Sequence, residues 1–311
     1  MLCPVCGTKS FSKNKSDYLL MDKSYKLYEC HNCGSEFWKP INSYNMTMQS
    51  LYCENPFSIN INDKVQKKLF LKYKLFFEHF SGKKGNLLDI GCGDGRFLYE
   101  ASKLGFSTYG FDFDNKSIQF GKEKYGLQNI YAMGTEEFME FARKKELSFD
   151  FITFFEILEH QMDLQDFFYS VKKLLKPGGY IAGSVPNKDR AFSELTMHLS
   201  PYELPPYHIN RFSNKSLSYL FKKEKIDSTI QPIKNKLITL DNFMFILKNL
   251  FKKSLNKNKE QAYNNLAVND YDKSRNFNKL FTAGYLFSLS MLKLVYNTKR
   301  ITHFYFEGRL F

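Results

Sequence analysis

Residues 87–98, LLDIGCGDGRFL, restrict the possible folds of this chain more than any other stretch. Leu87, Leu88 and Ile90 form the short apolar run of a parallel strand covered on both faces, and Gly91, Gly93 and Gly95 follow at once. Glycines there permit positive φ and let a ligand approach the backbone, while a helix starting near Arg96 aims its first amides at whatever binds. A nucleotide-type ligand is expected. The dinucleotide fingerprint G-x-G-x-x-G would put its third glycine at 96, where this chain has Arg96, so a nicotinamide cofactor is disfavoured.

From Asn86 onward, strand and helix signals alternate. NLLDIG precedes a helix over 95–104, STYGFD one over 115–124, NIYA the helical TEEFMEFARKK, and FDFITFF one over 163–175, before the strand GYIAGSVPN. Short connections make right-handed β-α-β crossovers the simplest arrangement, so the predicted fold is α/β, a Rossmann-like, doubly wound, mostly parallel sheet. Asp112 ends the second strand 21 residues after Gly91, where a carboxylate accepts hydrogen bonds from ribose hydroxyls; Asp114 is the competing candidate.

Four of the six cysteines form two C-x-x-C-G knuckles, Cys3/Cys6 and Cys30/Cys33, 23 residues apart. That spacing presents four thiolates to a tetrahedral Zn²⁺, and the short strands YKLYEC and SEFW complete a zinc ribbon. Disulfides are the competing reading. His31 is expected to be exposed rather than a ligand, and Cys53 and Cys92 to be ordinary small residues. Cys3, Pro4 and Cys6 stand where a signal peptide would need its apolar segment, so a cytoplasmic location is expected.

The segments LLDIGCGDGRFL, TYGFDFDNKSI, FDFITFFEILEHQMDLQDFFYSVKKLLKPGGYIAGSVPN and PPYHINRFSNKSLSYLF, in this order over residues 85–222, resemble the class I S-adenosylmethionine (SAM) methyltransferases, in particular their ubiquinone-type and cell-surface-glycan-associated branch. An N-terminal zinc ribbon is similar to that of several sugar-modifying methyltransferases. The resemblance implies a SAM site of Asp89, Gly91, Cys92, Gly93, Gly95, Asp112, Phe113, Thr135 and Glu156. Thr135 followed by Glu136 departs from the acidic adenine contact common in the family. A helical turn starting at Glu156 would put Glu159 and His160 on one face with it, and His160 with a near-neutral pKa would serve as general base. Glu156, Glu159, His160 and the later His208 also resemble the divalent-metal site of ubiquinone-type O-methyltransferases, which would suit Mg²⁺ or Mn²⁺. The bland alternative makes the two glutamates exposed charges on a helix face and His160 a packed polar residue.

PPYHINRFSNKSLSYLF is expected to be a loop ending in a helix capped by Ser213, with Tyr207, His208 and Asn210 over the strand ends and Asn187 facing the same cleft; a substrate lid and, for all but His208, a structural crossover loop are the two readings of it. The expected organisation is a zinc ribbon (1–40), a helical linker (41–84), the methyltransferase core (85–234), a helical insertion or cap (235–300) and a terminal antiparallel strand (301–311) beside a sixth strand at 228–233. The formal charge of +13 is regional, with 17 Lys and Arg against 7 Asp and Glu over 221–311. The apolar stretches of the insertion are too short and interrupted to span a membrane; flanked by Lys252, Lys253, Lys299 and Arg300, they could make peripheral contact with an anionic surface, but a helical cap packed on the core is the favoured reading.

The expected function is SAM-dependent methyl transfer to a hydroxyl of a small molecule, with a sugar or cell-surface glycan precursor as acceptor. The alternatives are an RNA methyltransferase, suggested by the ribbon and the basic tail, and an inactive fold used as a binding module. Nucleic acid is disfavoured because the basic residues are not interleaved with an RNA-binding motif. The acceptor, and O- against N- or C-methylation, do not follow from the sequence.

Overall fold

Apolar runs with side chains alternating between two faces build a central sheet in the computed structural model, which describes residues 1–20, 23–40, 63–190, 193–194, 197, 203–234 and 301–310. Three strands precede it: β1 (Phe11–Leu20), β2 (Lys23–Cys30) and β3 (Glu36–Lys39). The central strands are β4 (Asn86–Ile90), β5 (Ser107–Asp112), β6 (Ile130–Ala132), β7 (Phe149–Phe155), β8 (Leu175–Pro186), β10 (Ile226–Lys234) and β11 (Ile301–Leu310), with the two-residue β9 (Asn210–Arg211) outside them. Their order is β10-β11-β8-β7-β4-β5-β6, and β11 runs antiparallel to both its neighbours. The expected sixth strand and terminal antiparallel strand are therefore both present.

The helices are α1 (Asp63–His79), α2 (Arg96–Lys103), α3 (Asn115–Tyr125), α4 (Thr135–Lys144), α5 (Leu164–Leu174) and α6 (Asn214–Lys223). Successive strand residues serve opposite layers. Leu87, Phe151 and Phe155 pack with Phe76 of α1, Phe97 of α2 and Ile118 of α3, whereas Leu88, Ile152 and Phe154 pack with Phe138 of α4, Phe168 of α5 and Leu217 of α6. Helices thus cover both faces, and every βα connection delivers its loop to the carboxyl edge of the parallel strands. Helix α1 was expected within a linker, but it belongs to the core: Phe76 is 1% exposed and stacks edge-on against Phe97.

The cysteine-bearing strands form a second sheet, β1-β2-β3-β9. Both knuckles turn as their glycines dictate, Gly7 and Gly34 having φ near 76° and 71° and donating to the Cys3 and Cys30 carbonyls. Its fourth strand comes from the segment before α6, expected to be a loop: Phe37 pairs with Asn210 and Glu36 with Arg211. The ribbon is accordingly no separate module; Phe37, Cys30 and Cys33 share one apolar cluster with Phe212 and Leu217. The expected insertion at 235–300, the first part of the linker at 41–62 and Cys53 lie outside the described residues. Among the described residues no helix is long and apolar enough to cross a membrane.

Candidate functional site

The glycine turn lies between the ends of β4 and β5. The N–H groups of Gly91 and Cys92 both donate to the Phe111 carbonyl, which folds the turn back over β5. Gly91 has φ 70°, and a Cβ there would collide with Ile157; Gly93 has φ 53° and nothing near its missing Cβ, leaving an open approach to the backbone. Asp112 ends β5 as its spacing requires. Its Oδ2 accepts the Gly93 N–H at 2.9 Å and its Oδ1 the Asp114 N–H at 2.9 Å, and each oxygen keeps a further lone pair. Phe113 is exposed beside it. Thr135 opens α4, with Glu136 and Glu137 in the same first turn.

Two expectations here are revised. Asp114 is no rival for the ribose, because its carboxylate caps α3, accepting from the Lys116 N–H and the Ser117 hydroxyl. Asp89 faces the interior of the sheet, where it accepts the Thr153 hydroxyl at 2.7 Å, and burial pushes its carboxyl up to about 8.

Beyond β7 the chain does not turn helical at Glu156. That residue has φ 59°, in the left-handed region, and only Leu158–His160 form a 3₁₀ turn. The reversal separates Glu156 from its expected partners. Its carboxylate accepts the Ser184 hydroxyl at 2.6 Å and lies 2.8 Å from Lys72 Nζ and 3.4 Å from His303 Nε2. Burial raises its pKa, but Lys72 and His303 outweigh burial and hold the carboxyl well below the usual range.

Glu159, His160 and His208 do come together, each offering a ligand atom within 4.8 Å of the others. The two imidazoles lie edge to face, 4.9 Å between centroids. His160 Nδ1 donates to the Tyr207 carbonyl at 2.6 Å, which leaves Nε2 as the acceptor nitrogen. Burial and the adjacent His208 push this imidazole down to about 3, not the near-neutral value expected of a general base. Glu159 is 1% exposed, and neither carboxylate oxygen has a hydrogen-bond donor among the described residues. Burial and Glu156 raise its pKa well above the usual range. Neither an exposed helix-face charge nor a satisfied core residue describes it.

The segment carrying His208 is wedged into the fold and is no lid. Ile209 N–H donates to the Glu159 carbonyl at 3.0 Å, and Asn210 Nδ2 donates to the Leu158 and Gln161 carbonyls at 3.4 and 2.7 Å. Asn187 is buried, its Oδ1 accepting the Asp189 N–H. Lys72, Arg190, Glu203, Arg211 and His303 surround the cluster and were not read from the sequence. Lys72 alone carries a signal, since it stands at i−4 and i−8 to Phe76 and Phe80 on the apolar face of its helix.

At the other end of the ribbon sheet, Cys3, Cys6, Cys30 and Cys33 present four Sγ atoms within 4.8 Å of one another. The closest pairs lie across the knuckles, Cys3 with Cys33 at 3.7 Å and Cys6 with Cys30 at 3.5 Å. His31 stays exposed, bonded to Ser12 and Ser10, as expected.

Comparison with known proteins agrees with this geometry. Residues 61–224 match the family described as Methyltransferase domain. The chain is similar to the ubiquinone biosynthesis O-methyltransferase of Pelagibacter ubique, 30% identical over 158 residues that make up 50% of this chain and 61% of that protein. It is also similar to the mitochondrial ubiquinone biosynthesis O-methyltransferase of Schizosaccharomyces pombe, 31% identical over 131 residues, 40% of this chain and 46% of that one. The matches thus span less than two thirds of these relatives' length. A SAM-dependent methyltransferase from Archaeoglobus fulgidus superposes with a TM-score of 0.49 at 17% identity, covering 78% of this chain and 94% of that one. With the family match running from α1 through the glycine turn and the Glu159 cluster to α6, over more than half of the sequence, the chain belongs to the methyltransferase-domain family.

Proposed function

We propose that the protein transfers a methyl group from SAM to a hydroxyl of a small molecule, with the acceptor presented at Glu159, His160 and His208. In this reading Gly91, Cys92, Gly93 and Gly95 bring their backbone to the amino-acid end of SAM. Asp112 accepts from the ribose, while Phe113 and Thr135 flank the adenine. SAM is already activated, so the protein's main task is to align the acceptor oxygen with the sulfonium methyl carbon for in-line displacement. The observation that carries the reading is the buried Glu159 carboxylate, with no donor to either oxygen among the described residues, gathered with two imidazoles.

That donor set fits a divalent cation such as Mg²⁺ or Mn²⁺: a buried carboxylate that needs a positive charge, with two imidazoles beside it, of which His160 is kept neutral by burial. When bound, such a cation supplies Lewis acidity that lowers the pKa of an acceptor hydroxyl. An imidazole held near 3 is a poor general base at neutral pH and a good ligand, which favours ligation as the role of His160. Glu156 is left out of the set and acts instead as the anchor of Lys72 and His303. The sugar or glycan-precursor acceptor rests on the sequence resemblance alone, because the curated relatives are named for ubiquinone biosynthesis. The four thiolates fit Zn²⁺: a tetrahedron with Zn–S bonds of ~2.3 Å has edges of ~3.8 Å, close to the cross-knuckle distances.

Calorimetric titration with S-adenosylhomocysteine tests the cofactor site. Micromolar binding is expected, weakened at least ~10-fold, or ~1.4 kcal/mol, by Asp112→Ala. Folded protein that binds no S-adenosylhomocysteine would overturn the reading in favour of an inactive scaffold.

A further inference from the structure

Two buried cations, Arg190 and Arg211, meet the partly buried Lys188, Glu36 and Glu203 behind His208, and Glu36 comes from the ribbon. Glu36 stands three residues past Cys33 and opens β3, opposite Arg211 of β9. Its Oε2 accepts Arg211 Nε at 2.8 Å, and its Oε1 lies 3.7 Å from Lys188 Nζ. Arg211 also reaches the Ser193 hydroxyl at 2.7 Å, but its Nη1 only approaches Glu203 Oε2, at 3.9 Å. Glu203 is bound on its other oxygen by Arg190 at 2.6 Å. Its Oε2 is therefore left to face His208 Nδ1, 3.7 Å away.

The arrangement is a division of one carboxylate between two claimants. Arg211 has a side chain 5% exposed and requires a counter-charge, since an unpaired buried guanidinium costs several kcal/mol. Glu36 supplies that charge from the ribbon side and holds Arg211 at the edge of Glu203. With Glu36 neutral, the nearest remaining carboxylate is Glu203, and Arg211 closing on its Oε2 would take the partner of His208 away. The backbone adds to the same constraint, because the His208–Arg211 segment is bonded on one side to the turn bearing Glu159, through Ile209 N–H, and on the other to the ribbon, through Trp38 N–H to the Ile209 carbonyl at 2.9 Å.

We propose that Glu36 is a positioning residue of the methyltransferase site: through Arg211 and Glu203 it fixes the orientation and tautomer of His208, making the ribbon a wall of the active site. The inference rests on the reading of His208 as a site residue. Groups that orient a ligating imidazole typically change metal affinity 10–100-fold when removed.

The test uses the full chain with Glu36→Gln, Glu203→Gln and their combination. Long-range ¹H–¹⁵N spectra of the histidine rings, with His208 assigned by His208→Ala, should show one tautomer in the parent protein and a mixture in Glu36→Gln. Mn²⁺ titration followed by electron paramagnetic resonance should show affinity reduced 10–100-fold in Glu36→Gln, with no further loss in the double variant. S-adenosylhomocysteine affinity should stay within about 2-fold. An unchanged His208 spectrum in Glu36→Gln overturns the proposal whether or not Mn²⁺ binds. Absence of Mn²⁺ binding in the parent, with the tautomer shift present, would remove the metal reading and leave Glu36 in its role.

Discussion

A buried carboxyl that keeps its proton is a cost that appears only when the proton is taken away. Asp89 shows this at the scale of one residue: burial holds it at about 8 in the folded protein, against ~3.9 in an unfolded chain. Between those values the folded state binds a proton that the unfolded state has released. Stability from this group is therefore complete below about pH 4 and is lost progressively as pH rises through about 8. Asp89→Asn should flatten that slope and raise stability at pH 8 by an amount on the order of a few kcal/mol, measurable by urea unfolding at pH 5 and pH 8; equal slopes for both proteins would show that Asp89 ionises freely. Which residues were legible followed from how local their chemistry is. Asp112 and the glycines sit in a strand–turn–helix pattern whose spacing brings them together at one turn. His303 acts through Glu156, far away in the chain, while Glu203 and Arg190 meet across a loop, and no local pattern marks a charge that folding will bury. Glu156 was misread because a helical start and a left-handed reversal are equally compatible with FEILEH.

At the scale of elements, the segment after β9 converts directly into a helix because Ser213 and Ser216 form a reciprocal cap. Ser216 N–H donates to Ser213 Oγ at 3.2 Å, and Ser213 N–H to Ser216 Oγ at 2.8 Å. Ser213→Ala should cost ~0.5–2 kcal/mol, read as a lowered urea midpoint with unchanged slope. No change would mean that burial of Leu217, Leu220 and Phe221 alone holds the helix. Caps were partly readable. Ser213 precedes a clear apolar face and was identified, whereas Asp114 follows a strand in a cofactor loop, where an aspartate serves a ribose or a helix equally well until the Ser117 hydroxyl is seen on it. The parallel strands were legible because two-sided burial leaves continuous apolar runs such as FDFITFF. β9 was not, since two polar residues, Asn210 and Arg211, make a strand only because β3 offers an open edge.

For the molecule as a whole, the shared sheet and the apolar cluster joining Cys30, Cys33 and Phe37 to Phe212 mean that ribbon and catalytic region should unfold together. With the proposed Zn²⁺ on the four thiolates, a strong chelator should lower the melting temperature of the entire chain in a single calorimetric transition. Two transitions, with the larger one unmoved, would instead make the ribbon an independent appendage. The same closure has a consequence for biosynthesis. Glu36 and Arg211, neighbours across β3 and β9, are 175 residues apart in the chain. The cysteine knuckles leave the ribosome early, yet the edge that completes their sheet arrives only with residues 210–211. Contacts of such separation form late and slowly, so the nascent knuckles wait with an open strand edge and four free thiols while most of the central sheet is translated. During that interval an open strand edge is exposed to pairing with other chains, so protection of residues 1–40 should raise the yield of folded protein.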